Sequence, residues 1–181
     1  MAAMGGSVAR RYAKAIFAIG VDRGNFELLG RELNELARLW KDSPALRQTL
    51  ENPVFKLSQK RAVLQALLPR VAPARQVQSL ALLLLDRGRI AILPALARAY
   101  EEMCDDRLGR VRALVKSAKP LNIASETEIR KALERHTGKK VLLTTQVDPS
   151  LIGGVVAQVA GMVLDGSVAT RLSALKNRLL N

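Results

Sequence analysis

The chain has 181 residues, enough for one domain or two small ones, and its 49% hydrophobic content argues against global disorder. Aromatic residues make up only 3%, so the core has to be built from Leu, Val, Ile and Ala, which favours helices over a β-sandwich. The formal charge of +13 points to an anionic partner, whether nucleic acid, a membrane surface or an acidic protein.

The charge is spread along the chain. Residues 1–106 hold 16 Lys/Arg against 11 Asp/Glu (+5), and residues 107–181 hold 13 against 5 (+8). Cys104 is the only cysteine, which rules out an intramolecular disulfide within this sequence and fits a reducing compartment; it reads as a buried spectator thiol. The N-terminus lacks the apolar stretch of a signal peptide. The longest apolar run, Leu80–Leu85, is far too short to span a bilayer. A soluble protein is expected, one compatible with a place against a membrane assembly.

Val8, Tyr12, Ala15, Ile16 and Ile19 recur with helical spacing behind Ser7, a plausible N-cap, and Gly20, Asp22 and Gly24 read as the break. Leu29, Leu33, Leu36 and Trp40 form the next stripe, with Arg31, Glu35 and Arg38 opposite. Asp42-Ser43-Pro44 closes that helix. A short helix follows to Pro53, and Ser58 opens another that Pro69 and Pro73 are expected to end. Ala74–Arg87 is apolar nearly all round, as suits the central member of a bundle, and Gly88 stops it. Leu93, Leu96, Ala97, Tyr100 and Met103 stripe the following helix, where Pro94 falls in a tolerant first turn. The prediction is an α+β protein whose residues 1–106 form an antiparallel six-helix bundle.

After Gly109 the period changes. Arg110–Ala118 alternates like a strand with one wet face, carrying Arg110, Arg112 and Lys116 on that face. Ser125 and Glu128 have the spacing of a capping box, and Gly138 supplies the stop. Val141–Val147, Gly154–Ala160 and Met162–Leu164 read as strands, with Ala160-Gly161 as a hairpin turn. Ser167 then caps a last helix striped by Leu172, Leu175 and Leu179. Residues 107–181 are thus expected to form a small α/β domain.

Sites for chemistry are scarce. Gly153-Gly154 leads into a strand pattern with no lysine in place, so it does not read as a phosphate loop. His136, the only histidine, falls at a predicted helix end beside Lys139 and Lys140 and reads as solvated. One His and one Cys cannot assemble a usual zinc site. Asp105-Asp106 lies at a helix C-terminus, where carboxylates oppose the helix dipole, and no further oxygen ligands are placed nearby. Neither a catalytic constellation nor a cofactor is indicated. Charge alone supports a rival reading, a basic helical protein that binds nucleic acid, although no aromatic side chain interleaves the basic strand for base stacking.

Four stretches together resemble a known family: Val8–Gly20, Leu50–Leu67, Leu82–Met103 and Leu151–Leu175, the last ending in the specific D-G-S-V of residues 165–168. In this order they are similar to the delta subunit of the bacterial F-type ATP synthase, which is itself similar to the mitochondrial oligomycin sensitivity conferral protein. Ala160-Gly161 departs from relatives, which often place Gly and then a polar residue there. The resemblance implies a non-catalytic peripheral-stalk subunit joining the catalytic alpha/beta head to the b subunits, so that rotor torque is resisted. It implies a place at the cytoplasmic face of the bacterial inner membrane, held there through the complex, with no nucleic acid or small-molecule substrate. It further implies that an N-terminal helix of an alpha subunit docks between the first and fifth helices. By motif position Tyr12, Ala15, Ile16 and Ile19 would line one wall and Leu80, Leu83 and Leu84 the other. Arg110, Arg112, Lys139, Lys140, Arg171 and Lys176 are then candidates to meet the b subunits.

Overall fold

In the computed structural model, which describes residues 2–151, 153–159 and 161–166, helix formation begins ahead of the apolar stripe. Helix α1 spans Ala2–Asp22, so Ser7 lies inside it and is not its cap. Ala2, Ala3 and Met4 are strong helix formers, which lets the helix start earlier. Gly20 does not break it either. The stop comes at Gly24, whose φ of 68° closes a Schellman turn: its N–H donates to Val21 O at 3.1 Å and the Asn25 N–H to Gly20 O at 2.9 Å.

Helix α2 (Phe26–Asp42) buries Leu29, Leu33, Leu36 and Trp40 as its periodicity predicts. Ser43 both ends α2 and caps α3 (Pro44–Glu51), its Oγ accepting from the Leu46 N–H at 3.3 Å with Pro44 in the first turn. Helix α4 (Leu57–Val71) starts one residue before Ser58, and Gln59 Oε1 accepts from the Lys56 N–H at 3.0 Å to satisfy its N-terminus. Pro69 sits within α4 rather than ending it. So near the C-terminus its missing N–H costs one hydrogen bond, and the chain leaves the helix only before Pro73.

Helix α5 (Arg75–Asp86) receives help from a distance, since Glu32 of α2 accepts from the Ala74 N–H at 2.9 Å. That carboxylate satisfies an orphan donor at the positive end of the α5 dipole. A 3-10 turn (Ile90–Ile92) leads into α6 (Leu93–Arg107). Tyr100 of α6 is wholly buried, donates its hydroxyl to Phe26 O at 2.9 Å, and meets the ring of Phe17 edge-on at 5.5 Å. Burial pushes the Tyr100 hydroxyl well above its usual pKa, and neighbouring Cys104 adds to the effect. Two glycines make room for this tyrosine. A Cβ on Gly20 would stand 2.9 Å from both Tyr100 Oη and Phe26 Cα, and one on Gly30 would stand 3.2 Å from the Tyr100 ring.

The chain divides into two compact units, Met1–Cys104 and Asp105–Asn181. In the second, β1 (Arg110–Ser117), α7 (Ile123–Thr137), β2 (Lys140–Val147), β3 (Val155–Val159) and β4 (Met162–Asp165) form a sheet of order β2-β1-β3-β4 with one helix packed on it. β1 pairs parallel with β2, Val111 opposite Val141, and antiparallel with β3, Val115 opposite Ala157. The parallel pair needs a crossover, which α7 provides. Ala113, Val115, Val141, Ala157 and Val159 pack with Leu133 of α7. The expected cap of α7 moves: Asn122 Oδ1, not Ser125, takes the N-cap role and accepts from the Ser125 N–H at 2.7 Å. Asparagine before Ile123 competes better than a serine three residues on, because the helix already includes Ser125. Gly138 ends α7 with φ 66°, and Gly161 turns β3 into β4 with φ 81°. The helix expected from Ser167 lies outside the described residues.

Candidate partner-binding surfaces

Helix α1 carries two neighbouring apolar stripes. The buried one is Ala9, Ala13, Ile16 and Gly20, made mostly of small residues that allow close helix approach. The other is Val8, Tyr12, Ala15 and Ile19, in which Ala15 is exposed, Val8 and Tyr12 are half-buried and Ile19 is 44% exposed. Sequence periodicity merged the two, and packing separates them by one position. α1 packs beside α5, whose buried face is Val77, Leu80, Ala81, Leu84 and Leu85. Leu83 stands 42% exposed, so α5 is not apolar-buried on all sides as expected. Of the seven residues assigned to the groove, Ile16, Leu80 and Leu84 therefore belong to the helical core, Tyr12 is half-buried and packs against that core, and Ala15, Ile19 and Leu83 face outward.

One polar contact links these outward faces. Arg89 Nη1 donates to Tyr12 Oη at 3.3 Å. Arg89 follows Gly88 (φ 63°) in a second Schellman turn, where the Gly88 N–H donates to Leu85 O at 2.9 Å and the Arg89 N–H to Leu84 O at 2.7 Å. No helical stripe includes Arg89, so periodicity gave no signal for it; the D-R-G-R spacing at a helix stop was the only trace.

The basic candidates of the sheet unit divide differently. Arg112 lies on the outward face of β1, and its Nε donates to Asp105 Oδ2, while Lys139 Nζ donates to Asp106 Oδ1 at 2.9 Å. The acidic pair that opposes the α6 dipole is thus balanced by one cation each. Arg110 and Lys140 sit directly opposite each other in the β1–β2 register, Arg110 half-buried and Lys140 exposed. Lys116 stands 3.8 Å from Asp148. Asp148 accepts from both the Ser150 hydroxyl at 2.6 Å and the Ser150 N–H at 3.1 Å, and these bonds, more than Lys116, hold its carboxyl below the usual range. Arg171 and Lys176 lie outside the described residues.

Other features are structural in kind. His136 is exposed in the last turn of α7, Cys104 is buried, and Gly154 (φ 82°) precedes a strand instead of a phosphate-binding helix. Among the described residues no cluster of His, Cys, Asp and Glu is grouped to hold a metal ion, and no helix is long and apolar enough to cross a membrane. Residues 107–181 contain no Phe, Tyr or Trp, so the basic strand offers no such ring on which bases could stack. The sequence reading passed over one apolar tip between α3 and α4, where Val54 is 80% exposed beside half-open Phe55 and Leu57.

Comparison with known proteins adds independent findings. Residues 8–179 match the family model described as ATP synthase delta (OSCP) subunit. The chain is 42% identical over 174 residues to the ATP synthase subunit delta of Anaeromyxobacter dehalogenans (strain 2CP-1), covering 96% of this chain and 97% of the relative. It is 39% identical over 173 residues to the ATP synthase subunit delta of Citrifermentans bemidjiense, covering 96% of each. A chain in the cryo-EM structure of the Toxoplasma gondii mitochondrial ATP synthase hexamer matches with a TM-score of 0.68 at 28% identity, over 96% of this chain and 97% of that one.

Proposed function

The chain belongs to the ATP synthase delta (OSCP) subunit family, whose members are components of the peripheral stalk, and from that premise we propose that it is a static, non-catalytic link between the catalytic head and the b subunits. Residues 1–106 read as an antiparallel six-helix bundle that holds the head, and residues 107–181 as the part that meets the b subunits. The whole would lie at the cytoplasmic face of a bacterial inner membrane, held there through the complex. A connector that resists torque must be stiff and must grip at both ends, and packed helices supply stiffness better than loops do.

The observation that carries the head-binding half is the second apolar stripe of α1. Ala15 and Ile19 face outward and Tyr12 is half-buried on α1, which packs beside α5 with its exposed Leu83, and this is the pattern an amphipathic helix would cover with anchors at helical spacing. We assign that helix to the N-terminus of an alpha subunit. The b-binding half rests on the basic surface of residues 107–181, where Arg110 and Lys140 are the candidates among the described residues without an intramolecular ion pair. Calorimetry of the full chain against a synthetic peptide of the alpha N-terminal helix tests the first half. Micromolar binding that Leu83→Glu removes, with the melting temperature unchanged, is expected. Equal binding by Leu83→Glu would refute the site.

A further inference from the structure

Resting on the groove reading above, we propose that Arg89 is a specificity-determining residue of that groove, and that it selects a docked helix carrying a carboxylate next to its apolar anchors. Arg89 is exposed, yet it is held at two points. The Schellman turn at Gly88 fixes its backbone, and the hydroxyl of Tyr12, itself a groove residue, accepts from its Nη1 at 3.3 Å. A guanidinium carries five N–H donors in a planar fork, and one bond to a neutral hydroxyl leaves most of them to a partner. Among the described residues no carboxylate pairs with Arg89. The nearest acid in sequence, Asp86, is taken by Arg61 of α4 at 3.4 Å.

The surroundings favour an acidic partner and no other kind. Along α1 the described charges are Arg10, Arg11 and Lys14 against Asp22 alone, and Arg87 is exposed beside Gly88. A helix bearing Lys or Arg at the same place would bring like charges together as it lost water, so the site discriminates as well as attracts. Tyr12 then has two functions, as an apolar anchor through its ring and as a positioning residue through its hydroxyl.

The test uses the full chain and two probes: a synthetic alpha N-terminal peptide, and the same peptide with every Asp and Glu amidated. Arg89→Ala is expected to weaken binding of the first peptide about tenfold at low salt, the size of a partly desolvated charge pair. Arg89→Lys should recover part of the loss, because charge returns without the fork. The amidated peptide should bind wild type about as weakly as Arg89→Ala binds the acidic one, and should not distinguish the two proteins. Tyr12→Phe should lower affinity in wild type but not further in Arg89→Ala. If Arg89→Ala binds the acidic peptide as wild type does while Leu83→Glu does not, the role of Arg89 is overturned and the groove stands. If the wild-type chain binds neither peptide, the groove itself falls and Arg89 with it.

Discussion

The core of the helical unit includes Tyr100, Trp40 and a run of leucines from Leu29 to Leu96, while among the described residues that of the sheet unit holds Ala113, Val115, Leu133, Val141, Ala157 and Val159. The first set buries large side chains against one another and sets glycines opposite a tyrosine. The second buries mostly small ones, and polar contacts complete its corners: Asp105 with Arg112, Asp106 with Lys139, and Glu134 accepting from the Val141 N–H at 3.0 Å. Hydrophobic burial scales with area, so each of the larger side chains of the helical core gains more than each of the smaller ones described in the sheet unit. Surface ion pairs contribute little and are screened by salt. The described contrast is thus one of packing: large interlocking side chains in the helical unit, smaller ones with polar contacts at the edges in the sheet unit.

Substitutions can break or sharpen this contrast. The largest effect should come from Tyr100→Ala, which opens a cavity where three helices meet and removes one hydrogen bond to Phe26 O; a loss of about 4 kcal/mol in urea unfolding is expected. A loss below about 1 kcal/mol would mean that the site collapses easily and that shape is not what holds the helical unit. Next comes Gly20→Ala, whose new methyl would meet Phe26 Cα and Tyr100 Oη at 2.9 Å. Overpacking against backbone should cost about 2 kcal/mol by the same measurement.

Tyr100→Phe should cost about 1 kcal/mol at neutral pH, from the lost hydrogen bond to Phe26 O, and it also carries a pH signature. The folded state raises the hydroxyl's pKa. Its contribution is therefore fully present below the unfolded tyrosine value, about 10, and is lost as the pH climbs above it. Wild-type stability should fall in that alkaline range with a slope the Phe variant lacks, readable from melting temperatures across pH 9 to 11; parallel curves would contradict it. The smallest effect is assigned to the sheet unit. Asp106→Asn, which breaks the exposed pair with Lys139, should cost under about 1 kcal/mol and should matter less as salt is added. A large, salt-independent loss would place Asp106 among the packing residues and erase the contrast.

Much of the fold is legible along the chain because its signals are local. Helix stripes at Leu29, Leu33, Leu36 and Trp40, the stops at Gly24, Gly88 and Gly138, and the strand alternation from Arg110 all act within a few residues. Errors occurred where a local rule had a close competitor. Ser7 lost to upstream alanines, Ser125 to Asn122, and Pro69 was too near a helix end to stop it. The candidate surface was only half legible. Residues of both α1 stripes satisfy the helical period, so the spacing that identified the helix could not say which stripe was interior.

The sequence by itself determined the element types, their order, the change of period after Gly109 and the family, because dihedral preference and hydrophobic period are written residue by residue. Tertiary structure alone decided that Ala9, Ala13, Ile16 and Gly20 face inward while Ala15 and Ile19 face out and Tyr12 is half-buried. It also decided that Asp105 and Asp106 are balanced by Arg112 and Lys139, that Glu32 accepts from the Ala74 N–H 42 residues further on, and that Arg89 reaches Tyr12. The reason is that such pairings depend on which helices can approach closely, and that is set by small residues and excluded volume at contacts far apart in the chain.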